Sequence, residues 1–396
     1  MRRERVARLL VGVILILGLG IAAPPGAAQG EPIHVGVIVD ITGPASSLGI
    51  PERDTVAMLQ EEINRRGGVR GRPFVLTVLD GQSRETETLL AAKRLMEQER
   101  IYALICCTQS GTSLAILDTM QKARIPMMSL AASIRIVEPA RDRFWVFKTP
   151  QSDVLVATVL INHLLQKNIR RVAWMNVDNA FGDSGRGEFE KVARAKGLNI
   201  VASERFGDRD VDMTAQLTRI ARTDAQGVVI WAIPPAAAVV TKNVREIGLR
   251  LPVFQSHGVA NKAFIDLSGP AANGVIFPAG KLLVAEGLPD GDAQKRVLVD
   301  YARKFEARFG PRNTFGGHAW DGVWLVYNAV QRALQKGGNP VDRIEFRKAV
   351  RDELEATRNF VGISGVFNMS SSDHNGLDER ALTLIEVADG KWRVPR

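Results

Sequence analysis

From His34 onward, short β-branched runs alternate with amphipathic helical stretches, and no other feature of the chain limits its fold so strongly. A strand that returns through a helix to its neighbour runs parallel to it, and a parallel sheet needs helices on both faces. Strands are expected at His34–Asp40, Phe74–Asp80, Ala103–Cys107 and Pro126–Leu130. Between them lie helical patterns at Pro51–Arg66, Arg84 to about Arg100, and Ser113–Lys122. Val56, Leu59 and Ile63 share one face of the first helix, which Gly67-Gly68 ends. Ser83 is the expected cap of the second helix, whose Glu85 and Glu87 precede Lys93 and Arg94 in the order that the helix dipole favours.

The rhythm restarts after Lys148-Thr149-Pro150. Helices Ser152–Gln166, Ser184–Lys196, Asp212–Arg222 and Ala236–Ile247 alternate with strands Arg171–Val177, Asn199–Arg205, Gly227–Ile233 and Val253–Gln255. Two such blocks in 396 residues predict an α/β protein of two doubly wound lobes. The tail differs: long helices are expected at Val297–Phe309, Ala319–Leu334 and Asp342–Glu355, with Trp320, Trp324 and Tyr327 forming a buried stripe on the second. Strands Gly365–Asn368 and Ala381–Val387 then flank the turn signal Asn375-Gly376.

The first residues speak of export. Arg2, Arg3, Arg5 and Arg8 precede fifteen apolar or glycine residues, Leu9–Ala23, and the small-residue exit Gly26-Ala27-Ala28. That pattern is a cleaved secretory signal peptide spanning 1–28, and the apolar run is short for a membrane span. No cysteine follows it, so no lipid anchor is expected. Cleavage removes four arginines and one glutamate, which lowers the net charge from +9 to +6. The remaining basic residues are scattered without a run, so no nucleic-acid partner is expected. Cys106 and Cys107 are adjacent, and a Cα spacing of about 3.8 Å across a trans peptide lies below the usual span of a disulfide; no intrachain disulfide is expected.

Open α/β sheets bind ligands beyond the carboxyl ends of their strands. There the first block places Thr42–Gly49, Thr108-Gln109-Ser110-Gly111-Thr112 and Ala131-Ala132-Ser133, hydroxyls and main-chain N–H groups suited to a small anion. The second block places Asp178–Asp183, Pro234-Pro235 and Ser256-His257-Gly258 at the equivalent ends. Enzyme signatures fail. Gly182-Asp183-Ser184-Gly185 imitates a protease nucleophile motif, but it sits between a strand and a helix and lacks role-bearing partners. The glycines at 18 and 20 match a loose dinucleotide pattern only inside the signal segment, and no phosphate loop occurs. The five histidines, at 34, 163, 257, 318 and 374, show no metal-ligand spacing, and Asp373-His374 reads as part of a turn. Neither metal nor cofactor is expected.

Several of these stretches together resemble the leucine/isoleucine/valine-binding protein family, the type I periplasmic substrate-binding proteins of ABC uptake transporters. The likeness runs through Val35–Asp40, Thr42-Gly43-Pro44 with Gly49, Glu61-Glu62-Ile63-Asn64 with Gly67-Gly68-Val69, Gly71-Arg72 and Asp80-Gly81-Gln82-Ser83. It continues in Ser110-Gly111-Thr112, Ile125-Pro126, Ser129–Ser133, Phe181-Gly182-Asp183 and Asp389-Gly390-Lys391-Trp392.

The resemblance implies a type I periplasmic-binding-protein fold, with two lobes joined by three hinge crossovers near Lys148–Pro150, Phe277–Gly280 and Gly362–Val366. The lobes would be 29–148 plus 279–362 and 149–278 plus 363–396. It implies a non-enzymatic, monomeric receptor in the periplasm that closes on a small carboxylate or amino acid and delivers it to a membrane permease. The alternatives are a ligand-sensing receptor for a separate signalling partner and a secreted cleft hydrolase.

By resemblance, Ser110, Ala131, Ala132 and Ser133 meet the ligand's carboxylate and Leu48 and Phe181 border the ligand, while Pro234 is expected beside it from its place after a strand. The acid that usually meets an ammonium is matched here by His257, a common tyrosine by Phe181 and a common aromatic by Leu48. A buried ammonium without an anionic partner costs several kcal/mol. These departures favour a carboxylate without an amino group, with a branched aliphatic or aromatic body.

Overall fold

The computed structural model describes residues 30–395; the signal peptide expected at 1–28 lies outside the described residues. Five strands, β1 (Ile33–Val39), β2 (Phe74–Asp80), β3 (Ala103–Cys106), β4 (Met127–Ser129) and β5 (Val146–Lys148), form a wholly parallel sheet in the order β2-β1-β3-β4-β5. Helices α1 (Ser46–Arg65), α2 (Glu85–Arg94) and α3 (Ser110–Ala123) connect the first four. Alternate side chains of β1 point to opposite faces, and both faces are buried. Val35, Val37 and Val39 meet Val56, Leu59 and Ile63 of α1, while Ile38 joins Ala92, Ile116 and Met120 beneath α2 and α3.

The second sheet has seven strands in the order β14-β13-β10-β9-β8-β6-β7. Its parallel part is β6 (Arg171–Val177), β7 (Asn199–Phe206), β8 (Val228–Trp231), β9 (Val253–Gln255) and β10 (Ile276–Gly280). Helices α4 (Asp153–Gln166), α5 (Ala180–Lys196), α6 (Thr214–Ile220), α7 (Ala236–Glu246) and α8 (Lys262–Ser268) cover it. The late strands β13 (Leu382–Ala388) and β14 (Lys391–Arg393) extend it, β13 antiparallel to β10 and β14 antiparallel to β13. A small hairpin pairs β11 (Phe360–Val361) with β12 (Val366–Phe367).

Between β10 and β11 the chain runs through α9 (Lys295–Phe309), α10 (Thr314–Gln335) and α11 (Arg343–Glu355), which belong to the first lobe. The face of α10 that reaches its core carries Ala319, Val323, Val326 and Val330; Trp320, Trp324 and Tyr327 flank this stripe and are only partly buried. Small and β-branched residues allow the closer approach of helix to sheet. Phe367, Met369, Leu377 and Ala381 are buried in the same core, so the chain rejoins the second sheet only at Leu382. The resemblance had this passage near Gly362–Val366. Asn375 ties the last passage to the first: its amide donates to the carbonyls of Lys148 (3.2 Å) and Pro150 (3.0 Å).

Other departures from the sequence reading have local causes. Helix α1 begins at Ser46 and holds Pro51 inside it. Proline lacks the N–H that would bond the Ser47 carbonyl four residues back, and Asn313 Nδ2 donates to that carbonyl instead, at 3.3 Å. Ser83 does not cap α2. It has φ +55°, accepts from the Ala45 N–H (3.1 Å) and donates to the Thr42 carbonyl (3.0 Å), pinning the first cleft loop. Helices α3 and α5 start three and four residues earlier than expected, so Ser110 and Phe181 sit in first turns rather than loops. The absence of a disulfide is also corrected: Cys106 and Cys107 are joined across a cis peptide with their Cα atoms 3.1 Å apart, whereas the expectation assumed the trans spacing.

Candidate functional site

The carboxyl ends of the parallel strands of both sheets face one cavity of about 360 Å³. The first lobe supplies Leu48 from α1, the turn Thr108–Thr112 into α3, Leu130-Ala131-Ala132 after β4, and Phe315 and His318 from α10. The second supplies Asp178–Phe181 after β6, Ile233 after β8, and His257-Gly258 after β9. Leu48, Ser110, Ala131, Ala132, Phe181 and His257, all expected from the sequence, therefore meet around one space. Pro234 does not line it, because its neighbour Ile233 takes that place, and Ser133 is turned away into the seam between the lobes. Phe315 and His318 escaped sequence reading: they lie on a helix from the far end of the chain, and only Asn313, which caps α10 through the Phe315 N–H (2.8 Å), marks the spot.

The polar end of the cavity is the start of α3. The first main-chain N–H of this segment to find a carbonyl is that of Ser113, on Gln109 (3.0 Å). The N–H groups of Ser110, Gly111 and Thr112 are the unpaired donors found at any helix start, and they carry the positive end of the helix dipole. Ser110 Oγ accepts from the Ser133 N–H at 3.3 Å, which leaves its own hydrogen free to donate.

Two buried acids set the turn before it. Asp40 accepts from Gln109 Nε2 (2.9 Å) and from the Ser83 N–H (3.1 Å), and its N–H donates to Thr108 Oγ1 (2.9 Å). Thr108 in turn donates to Glu52. Burial pushes the Asp40 carboxyl up to about 6 and that of Glu52 well above its ordinary range. Gly49 lets α1 approach this corner, since a Cβ there would collide with the Asp40 backbone.

The walls are aromatic and uncharged. Phe181 stands edge-to-face on His257 with centroids 5.7 Å apart, and Phe315 on His318 at 5.6 Å. Burial pushes both imidazoles down to about 3, aided at His257 by Lys148 and at His318 by His257 and Lys148, so both are neutral at physiological pH. His318 Nδ1 bonds Ser364 Oγ at 2.8 Å, whereas His257 Nδ1 is buried with no partner among the described residues. The acids of the cavity, Glu85, Asp178 and Asp208, lie at its exposed mouth, and Asp178 is paired with Arg205.

No group of three metal-ligating side chains occurs among the described residues, and no described helix is long and apolar enough to cross a membrane. A set of free hydrogen-bond donors in one lobe, faced by aromatic walls from both, defines a class: a two-lobed binding protein with a cavity for a small solute between its lobes. The chain belongs to the periplasmic binding protein family, whose sequence model matches residues 32–391. It is a substrate-binding protein and not an enzyme.

The Leu/Ile/Val-binding protein homolog 3 of Brucella melitensis is 23% identical over 387 residues, covering 97% of this chain and 98% of its own. The Leu/Ile/Val-binding protein of Escherichia coli is 22% identical over 334 residues, covering 84% and 86%. Among solved structures, an extracellular ligand-binding receptor from Rhodopseudomonas palustris HaA2 superposes with a TM-score of 0.85 at 30% identity, over 92% of this chain and 99% of that one. LivJ, the branched-chain amino acid transporter substrate-binding protein of Streptococcus pneumoniae in complex with isoleucine, gives 0.78 at 21% identity, covering 92% and 98%, and shares the fold.

Proposed function

We propose that this chain is the exported receptor of an ABC importer, closing on a small carboxylate that lacks an α-amino group and delivering it to a membrane permease. The first lobe is 30–148 with 281–381, and the second 149–280 with 382–395. The observation that carries the ligand class is the pairing of a dipolar anion seat at α3 with a neutral opposite wall at His257. The carboxylate takes the free N–H groups of α3 and the Ser110 hydroxyl. Its body, branched aliphatic or aromatic, lies between Phe181 and Phe315.

Buried in that space, an ammonium would meet two uncharged imidazoles, at a cost of several kcal/mol. A second reading, a free branched-chain amino acid, is favoured by Glu85, whose carboxylate lies beside Gly111 at the cavity edge, and by the names of the curated relatives. Titration calorimetry with leucine, valine, 4-methylpentanoate, benzoate and phenylacetate separates the two. Binding of the amino-free acids above the amino acids is expected; tight leucine binding without a response to any amino-free acid would falsify the proposal.

A further inference from the structure

Ser133 follows β4 in the first lobe, yet its hydroxyl crosses the seam and donates to Ser184 Oγ of α5, in the second lobe, at 2.7 Å. Ser184 Oγ donates onward to Asp153 Oδ2, on the first turn of α4, at 2.5 Å. All three side chains are buried, Ser133 and Asp153 completely. None of them lines the cavity. The chain has a fixed polarity: the Asp153 carboxylate accepts, Ser184 donates to it, and the lone pair left on Ser184 accepts from Ser133. Ser133 is oriented in turn as the cap of the short helical turn Ile134–Ile136, accepting the Arg135 N–H at 3.3 Å. The segment Gly182-Asp183-Ser184-Gly185 thus has a role with no nucleophile in it, for among the described residues the Ser184 hydroxyl bonds Asp153 and Ser133 alone.

A hydrogen bond between side chains of two hinged bodies exists only while the bodies touch. We propose that Asp153, Ser184 and Ser133 form a closure latch, a set of positioning residues that stabilises the shut cleft without touching the ligand. This rests on the reading of the protein as a closing receptor. It also assigns Ser133 a different task from the carboxylate contact that the family resemblance implies. The two roles differ in a measurable way. A ligand contact at Ser133 acts independently of Ser184, whereas a latch is lost entirely when either end is removed.

The test is a double-mutant cycle of Ser133→Ala and Ser184→Ala, read as open and closed distance populations in the ligand-free protein. Spin labels are placed at Lys122→Cys and Lys196→Cys, exposed positions near the far ends of α3 and α5. Each single substitution is expected to lower the closed-to-open ratio about threefold to tenfold, and the double variant no further than either single. Asp153→Asn, which keeps the shape and removes the charge, should fall in the same direction. Additive losses, unchanged populations or a wild type that is open throughout each overturn the latch. Coupling in the cycle with no carboxylate binding by calorimetry would refute the ligand class and leave the latch standing; the reverse result would remove the latch alone.

Discussion

Replacing His257 by Asn tests whether the second wall of the cleft is uncharged. In an unfolded chain the imidazole titrates near 6.5. In the fold burial holds it at about 3. Between those values the unfolded state binds a proton that the folded state refuses, so this ring contributes its full stability above about pH 6.5 and loses it as the pH falls. From pH 7.5 to pH 5 the loss through His257 is about 2 kcal/mol, because the folded ring stays neutral over the whole interval.

The wild-type profile alone does not reveal this. His318 adds a change of the same sign, while Asp40, Asp153 and Asp321, raised by burial to about 6, 6 and 7, stabilise the fold as the pH falls. The difference between wild type and His257→Asn cancels the contributions of the three acids and leaves of the His318 change only the part that His257 causes, which has the same sign as its own. Urea unfolding of both proteins at pH 7.5 and pH 5 should therefore show the variant gaining about 2 kcal/mol on the wild type at the lower pH. A difference that holds constant within about 0.5 kcal/mol would mean that His257 titrates as in the unfolded chain, and the neutral wall would be gone.

The remaining predictions concern neighbouring groups. Ser110→Ala should weaken whichever amino-free acid binds in the calorimetric panel by about tenfold or more, since a hydrogen bond to a charged group contributes roughly 1.5–3 kcal/mol; equal affinity would take Ser110 off the carboxylate. Intact-mass measurement with and without reductant should show a two-dalton increase on reduction of unfolded protein if Cys106 and Cys107 are joined, and identical masses would restore the reading of two thiols.

The alternation of strand and helix made both lobes legible, because period-two and period-3.6 burial leave their mark wherever an element has one apolar stripe. Strands β2, β6 and β9 occupy the ranges read from the sequence. What escaped was short or distant. Strand β5 has three residues and β10 contains Pro278, and both read as hinge connections, since a short buried strand has no period to detect. At the site, the loops after β3, β4, β6 and β9 were visible because ligands collect at strand ends. Phe315 and His318 were not, because they come from a helix that no strand-end rule predicts. Ser133 shows a further limit: its polar character and position pointed to the cleft, but the direction of one hydroxyl separates a ligand contact from a bond across the seam.

The chemistry of the anion seat proposed at α3 also bears on release, which the proposed transport role needs as much as capture. Among the described residues no arginine or lysine lines the cavity. On the proposed reading a carboxylate would be held by main-chain dipoles and a hydroxyl, with about half an elementary charge at the end of α3 in place of a full one. Such donors are strong while the cleft is shut and water excluded, and weak once the lobes part and water replaces them. A buried arginine would keep much of its attraction in the open form, and the ligand would stay with the first lobe. On that reading, affinity in this cleft would be tied to closure itself. Anything that biases closure, including the bond from Ser133 to Ser184, should act on ligand retention without any contact to the ligand.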